Sequence, residues 1–317
     1  MPDDRVDLVS QDRRADGVSP DRIADGVSAA GRADVVSPDR IVAVLGRGVV
    51  PTETPILRAD DLGALRGDGI FETMHVRAGK PWMIEEHLSR MSGSAARLDL
   101  DLPDRAALFD LVATVLANWP VEVEGAVRVV CTRGAEAGSG VTVFATVTTI
   151  PDSTRAARRD GITLATASLG FAADARQRAP WLLGGAKTLS YAVNMASQRW
   201  ALGQGVDDVL WLSSDGYALE GPTSTLIWLI DGTLCTVPVE TTGILAGTTA
   251  RWLLDHATDL GYETADRMIT PTELRDVDGV WFASSVRGIV EIRAIDGAAL
   301  PLAKDTQRMR ELLGFEA

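Results

Sequence analysis

Cysteine and histidine are scarce in this chain of 317 residues: Cys131 and Cys235 are the only thiols, and His75, His87 and His256 the only imidazoles. Neither set falls in a ligand-like spacing, which argues against a metal site. Two distant cysteines read as buried, reduced thiols of a cytoplasmic protein. Positive charge is also in short supply, with 31 Lys and Arg against 44 Asp and Glu and a formal net charge of −13. Binding nucleic acid requires a basic face to neutralise phosphates, and docking on anionic lipid requires the same, so this balance argues against both partners. No run approaches the ~20 apolar residues of a spanning helix. The acidic start, Met1 to Asp4, lacks the basic and apolar regions of a secretory signal.

What is present is the composition of a globular protein. Hydrophobic residues make up 46 % and charged residues 24 % of the chain, enough for a sizeable core. At ~150 residues per domain the length suggests two domains. The first forty residues are a degenerate nine-residue repeat that places Ser10, Ser19, Ser28 and Ser37 in register. Each copy offers too few apolar groups to offset the entropy of ordering, so residues 1–40 read as a disordered tail. A smaller α/β domain is expected over 41–150, a polar, Pro-led linker over 151–160, and a larger domain over 161–317.

Within these bounds strands and helices mix without strict alternation, which predicts an α+β fold. Gly67 to Ile84 reads as strand, Ala-Gly turn and strand, followed by a helix over 85–98 with Leu88, Met91 and Ala95 on its apolar stripe. The segment from Lys187 is helix-like, with Leu189, Ala192, Val193, Ala196 and Trp200 at helical spacing. Asp215-Gly216 and Asp231-Gly232 mark two hairpin turns. Gly247-Thr248-Thr249 opens a helix that Gly261 stops.

Four local features can carry chemistry. Lys187 follows the Gly184-Gly185-Ala186 bend in apolar surroundings, where a desolvated lysine offers its neutral amine for Schiff-base chemistry; a surface lysine at a helix start is the plainer alternative. The run Gly243–Thr249 leads into a helix N-terminus whose free N–H groups favour an anion, although on local sequence an ordinary threonine cap is the plainer reading. Glu220 precedes Gly221-Pro222 and is placed either to pair with a protonated ring nitrogen or to face solvent. Arg90 lies about 135° from the apolar stripe of its helix and so faces solvent unless that side borders a cleft.

The order and spacing of these pieces are more specific than any one of them. Gly67-Asp68-Gly69-Ile70-Phe71-Glu72-Thr73, His87-Leu88-Ser89-Arg90, Lys187-Thr188-Leu189-Ser190-Tyr191-Ala192-Val193-Asn194, Leu219-Glu220-Gly221, Gly247-Thr248-Thr249 and Ser284-Ser285-Val286-Arg287-Gly288 follow one another along the chain. From Val42 onward the sequence resembles the pyridoxal 5'-phosphate (PLP) enzymes of fold type IV, which include aminodeoxychorismate lyases, branched-chain aminotransferases and D-amino-acid aminotransferases. The resemblance implies a two-domain α+β fold, PLP as cofactor, a small-molecule substrate and a homodimer. It also implies that Lys187 is the Schiff-base lysine, that Glu220 faces the pyridine nitrogen and that Tyr191 lies beside the ring. Arg90, Thr248, Thr249 and Ser285 would hold the cofactor phosphate, and Arg66, Arg133 and Arg287 are candidates for substrate carboxylates.

The outer residues are most similar to the lyase. Residues 284–288 resemble its Asn-Ser-Leu-Arg-Gly segment, and no Arg-x-His of the D-amino-acid enzymes follows Arg133-Gly134. Ser284 in place of Asn and Val290-Glu291-Ile292 in place of Pro-Val depart from that pattern. The resemblance therefore implies a 4-amino-4-deoxychorismate lyase that forms 4-aminobenzoate and pyruvate for folate synthesis, with a branched-chain or D-amino-acid aminotransferase as the alternative. A non-catalytic binding protein on the same scaffold is a third possibility, disfavoured by the intact Lys187, Glu220 and Arg90.

Overall fold

A computed structural model describes residues 39–138 and 140–315; the repeats, and the tail expected over 1–40 up to residue 38, lie outside the described residues. The chain opens with a hairpin of β1 (Arg40–Val44) and β2 (Gly48–Val50), then a short helix α1 (Leu62–Arg66). The long strand β3 (Gly69–Arg77) turns through Ala78 and Gly79, both at positive φ, into β4 (Lys80–Pro81). Helices α2 (Ile84–Arg97) and α3 (Arg105–Leu116) and strands β5 (Gly125–Thr132) and β6 (Thr142–Thr149) complete a six-stranded sheet in the order β2-β1-β6-β5-β3-β4.

Strand alternation gives this sheet two different faces. Ile70, Met74 and Val76 of β3, with Val127, Val129 and Cys131 of β5, pack under Leu88 and Met91 of α2 and Leu111 and Val115 of α3. Phe71, Thr73, Arg128, Val130 and Thr132 point the other way and line a cavity. Gly69 is required by crowding, because a Cβ there would fall 2.6 Å from the carbonyl oxygen of Cys131.

Where a polar linker is expected at 151–160, the chain forms helix α4 (Asp152–Asp160). Its polar residues make ion pairs: Arg155 and Arg158 both reach Glu124, and Arg158 also donates to the carbonyl of Val286. Next come β7 (Ile162–Ser168), the short helix α5 (Ala175–Arg178), α6 (Ala192–Gly203) and β8 (Asp208–Leu212). Then follow β9 (Glu220–Gly221), β10 (Ser224–Ile230), β11 (Thr233–Thr236), α7 (Val239–Thr242) and α8 (Thr248–Asp255). The chain closes with β12 (Glu263–Asp266), β13 (Gly279–Ser284), β14 (Gly288–Ile295), β15 (Ala298–Ala299) and α9 (Thr306–Leu312). The main path of this second sheet is β12-β11-β10-β13-β14-β7-β8. Strands β10 and β13 are covered on both sides, which is why they read as unbroken apolar runs. Phe315, just past α9, wedges under Gly288, where a Cβ would meet its ring at 2.6 Å.

Two local expectations change. The helix expected from Lys187 begins only at Ala192, and its apolar stripe is not a core stripe: Val193 is 62 % and Trp200 44 % exposed. Of the two expected hairpins, β10–β11 turns through Asp231 and Gly232, both at positive φ as a two-residue hairpin needs. The Asp215-Gly216 segment closes with a single bridge between Leu212 and Ala218, and Glu220 pairs instead with Thr225 of the following strand. The turn through Pro222 and Thr223 brings about that switch.

Candidate active site

The cavity, of about 1210 Å³, is lined by residues of both sheets. Arg90, Lys187, Tyr191, Glu220, Thr248, Thr249, Ser285 and Arg287 all border it, although they span nearly two hundred positions of sequence. Arg66 and Arg133 do not. Arg66 is exposed and pairs with Glu136, while Arg133 is held by Asp68 and by the carbonyls of Leu98 and Asp99. Both guanidinium groups therefore serve the surface and the end of α2 in this structure, not the cavity expected for them.

Lys187 is fixed by its backbone. Because β4 covers only the far end of β3, the near end is free to pair, and the segment 187–189 lies along it. Phe71 N–H donates to the Lys187 carbonyl at 3.1 Å and Leu189 N–H to the Gly69 carbonyl at 2.8 Å. The Lys187 N–H donates to Ser94 Oγ at 3.0 Å. Its Nζ then sits over the Phe71 ring, 4.6 Å from the centroid. Burial, with the nearby Arg90 charge, brings its ammonium pKa down to about 8, so the neutral amine is accessible close to physiological pH. Tyr191 lies edge-on to Phe71 with centroids 5.1 Å apart, and its hydroxyl donates to the Pro222 carbonyl at 3.2 Å.

At one end of the cavity α8 presents its first turn. Gly247 precedes it without a side-chain cap, so the opening N–H groups of the helix have no partner within it. Only glycine fits there, since a Cβ would fall 2.1 Å from Thr225 Oγ1. The buried Thr249 Oγ1 has no hydrogen-bond partner among the described residues. Beside this turn Arg90 grips Glu72 through two bonds of 2.7 Å, from Nε and Nη2, and donates from Nη1 to the Ala246 carbonyl at 2.8 Å. Three of its five N–H groups are thereby used and two remain.

Glu72 was not among the residues singled out from sequence. It is fully buried, and despite a burial penalty that alone would raise it, Arg90 and His87 hold its carboxyl at about 2. Glu72 Oε2 lies 2.6 Å from His87 Nδ1. Burial lowers the His87 pKa. The neutral ring that results donates from Nδ1 to the carboxylate and leaves Nε2 to accept. Thr248 Oγ1 and Ser285 Oγ stand 3.2 Å and 3.3 Å from that nitrogen. One lone pair cannot take both hydroxyls, so one of them is left to donate into the cavity. The available signal was strand parity: Glu72 falls on the apolar face of β3, between Ile70 and Met74, where an unpaired carboxylate would be too costly to keep.

Elsewhere on the lining Glu220 is 7 % exposed, and burial raises its pKa while Arg176 opposes that shift. Its two oxygens accept from Arg176 Nη1 and from Leu245 N–H, each at 3.1 Å. Arg287 donates from Nη2 to Asp208, Thr223 and Ser224, so it braces the wall it borders. Arg128 differs from the other guanidinium groups on the lining. It donates from Nε to Thr73 Oγ1 at 3.2 Å, and no carboxylate pairs with it among the described residues.

An amine over an aromatic face, a buried carboxylate and a bed of N–H and hydroxyl groups, set between an antiparallel sheet and a mixed one, define an enzyme of fold type IV. Residues 69–295 match the class IV amino-transferase family, and the chain belongs to it. It is 38 % identical over 281 residues to a bifunctional aminodeoxychorismate lyase / D-amino acid transaminase of Mycobacterium tuberculosis, covering 86 % of this chain and 97 % of that one. Among solved structures it resembles a hypothetical aminotransferase from M. tuberculosis in an α-ketoglutarate- and PMP-bound form, with a TM-score of 0.83 and 39 % identity over 86 % of this chain and 97 % of that one. A fold IV transaminase from Curtobacterium pusillum is similar too, with a TM-score of 0.81 and 38 % identity over 87 % and 98 % of the two chains.

Proposed function

We propose that the chain is a PLP-dependent 4-amino-4-deoxychorismate lyase, forming 4-aminobenzoate and pyruvate. The observation that carries the reading is the convergence of Lys187, Glu220 and the Thr248–Thr249–Ser285 bed on one cavity. The residues fit the cofactor on their own terms. Two spare N–H groups of Arg90, the uncapped turn of α8 and the unpartnered hydroxyl of Thr249 suit a phosphate dianion. Glu220, paired with Arg176, suits a protonated ring nitrogen. When bound, PLP supplies an electron sink for a carbanion next to the substrate nitrogen.

Lys187 is the residue that would hold the cofactor, and its neutral amine is placed to act as the base toward the bound substrate. Its Nζ takes the proton from the amine-bearing ring carbon. The bond from the adjacent carbon to the enolpyruvyl oxygen breaks, pyruvate leaves, and the ring becomes aromatic. Arg128 receives a substrate carboxylate, because it is the lining guanidinium without a carboxylate of its own among the described residues.

A D-amino-acid transaminase is the second reading, favoured by the double activity in the name of the M. tuberculosis relative. There Lys187 would hold and move the same proton, and the amino acid would leave as its keto acid. Supplying the holoenzyme with 4-amino-4-deoxychorismate, and separately with D-alanine plus 2-oxoglutarate, distinguishes the two. Formation of 4-aminobenzoate is the expected result; glutamate without 4-aminobenzoate would overturn the lyase.

The working unit is proposed to be a homodimer. Val193 at 62 % and Trp200 at 44 % exposure lie two turns apart on one face of α6, and Val193 also borders the cavity. A second copy would cover that surface and complete the cavity wall. Sedimentation should give twice the chain mass, and a monomer that turns over normally would remove this element of the proposal.

A further inference from the structure

Arg176 has no place in the expectations from sequence, yet it touches three parts of the site at once. It stands on the four-residue helix α5, its guanidinium 5.3 Å from the centroid of the Phe171 ring. One nitrogen, Nη1, donates both to Glu220 Oε1 at 3.1 Å and to the Gly243 carbonyl at 3.2 Å. Its seat is cut by two glycines. A Cβ on Gly184 would fall 2.9 Å from Arg176 Cβ, and one on Gly243 would fall 2.8 Å from the same atom. Gly243 is also at φ +63. Those two glycines begin the bend that delivers Lys187 and the turn that leads to α8, and Gly185 N–H joins the two stretches by donating to the Gly243 carbonyl at 2.9 Å.

Glu220 needs such a partner. A carboxylate in a largely water-free wall is pushed toward its neutral form, and a neutral carboxyl can no longer accept strongly from a protonated ring nitrogen. Arg176 and Leu245 N–H take one contact on each oxygen, leaving about two further lone-pair directions for a ligand.

We infer that Arg176 is a positioning residue of the site: it keeps Glu220 ionised and aimed, and it locks the Lys187 bend against the turn that opens α8. This rests on the reading of Glu220 as the partner of a ring nitrogen. The inference predicts that Arg176 acts through Glu220 and adds nothing when Glu220 is gone.

The test uses the apoprotein and two probes, PLP and its 1-deaza analogue, which has carbon in place of the ring nitrogen. Native apoprotein should prefer PLP by roughly 10–100-fold, the range of a charge-assisted hydrogen bond. Arg176→Met should lose most of that preference, Arg176→Lys should keep part of it, and Arg176→Met combined with Glu220→Gln should match Glu220→Gln alone within about twofold. In the holoenzyme Arg176→Met should lower kcat far more than it changes KM. If Arg176→Met does not fold, the partial loss in Arg176→Lys is the deciding measurement. Full preference retained by the arginine variants, or losses that multiply in the double variant, would overturn the inference. Failure of the native protein, or equal preference in Glu220→Gln, would overturn the reading of Glu220 on which it rests.

Discussion

The two ends of the cavity are built on opposite electrostatic plans. At the α8 end every strong charge has its complement: Glu72 is enclosed by Arg90 and His87, and the imidazole passes the contact on to Thr248 and Ser285. At the β5 end Arg128 projects from a strand beside Phe71, and among the described residues its side chain donates only to a threonine hydroxyl. A charge-paired network holds its geometry before anything binds, whereas an unmatched cation waits for charge from outside. The charges of one end are therefore a fixture, and on the proposed reading the other end receives the substrate's charge, in a chain whose overall charge is −13.

Substitutions at the two ends should accordingly fail in different ways. Glu72→Gln has the larger expected effect, because it breaks a buried pair and leaves its partners uncompensated. Stability should fall by about 3–5 kcal/mol, read as a lowered unfolding midpoint in denaturant. The native chain offers a matching pH signature. The folded Glu72 titrates at about 2 against 4.5 in the unfolded state, so its contribution is complete above pH 4.5 and is lost as pH falls toward 2. That acid limb should be missing in Glu72→Gln; an unchanged limb and midpoint would erase the distinction between the ends. The smaller expected effect is that of Arg128→Gln. It should leave stability within about 0.5 kcal/mol and raise KM for carboxylate substrates by roughly 10–100-fold. A stability loss as large as that of Glu72→Gln would make Arg128 a fixture too.

Much of this arrangement is legible in the sequence, and the rest is hidden for identifiable reasons. Gly247-Thr248-Thr249 announces a helix start, and Asp231-Gly232 a hairpin, because those signals are local. Arg90 misleads on a helical wheel: it does lie off the apolar stripe, but the space beyond is occupied by Glu72 and the Ala246 carbonyl, not by water. Lys187 reads as the start of a helix because Leu189 and Ala192 are in phase with it, while the long-range pairing of 187–189 with β3 holds it extended. Arg128 was within reach of strand parity, being the lone charge in an apolar strand. Arg176 was not, since its partners Glu220 and Gly243 are 44 and 67 positions away. Arg66 and Arg133 fail as cavity residues for the same kind of reason: Glu136 and Asp68 claim them first.

Phe315 extends the fixture to the carboxyl-terminal part of the chain. Its ring stacks on His75 with centroids 5.0 Å apart, takes the Arg77 and Arg158 guanidinium groups at 4.4 Å and 4.6 Å, and fills the space beneath Gly288. His75 in turn donates its backbone N–H to Ser285 Oγ. Replacing Phe315 by a small residue would thus pull a keystone from beneath His75 and, through it, Ser285.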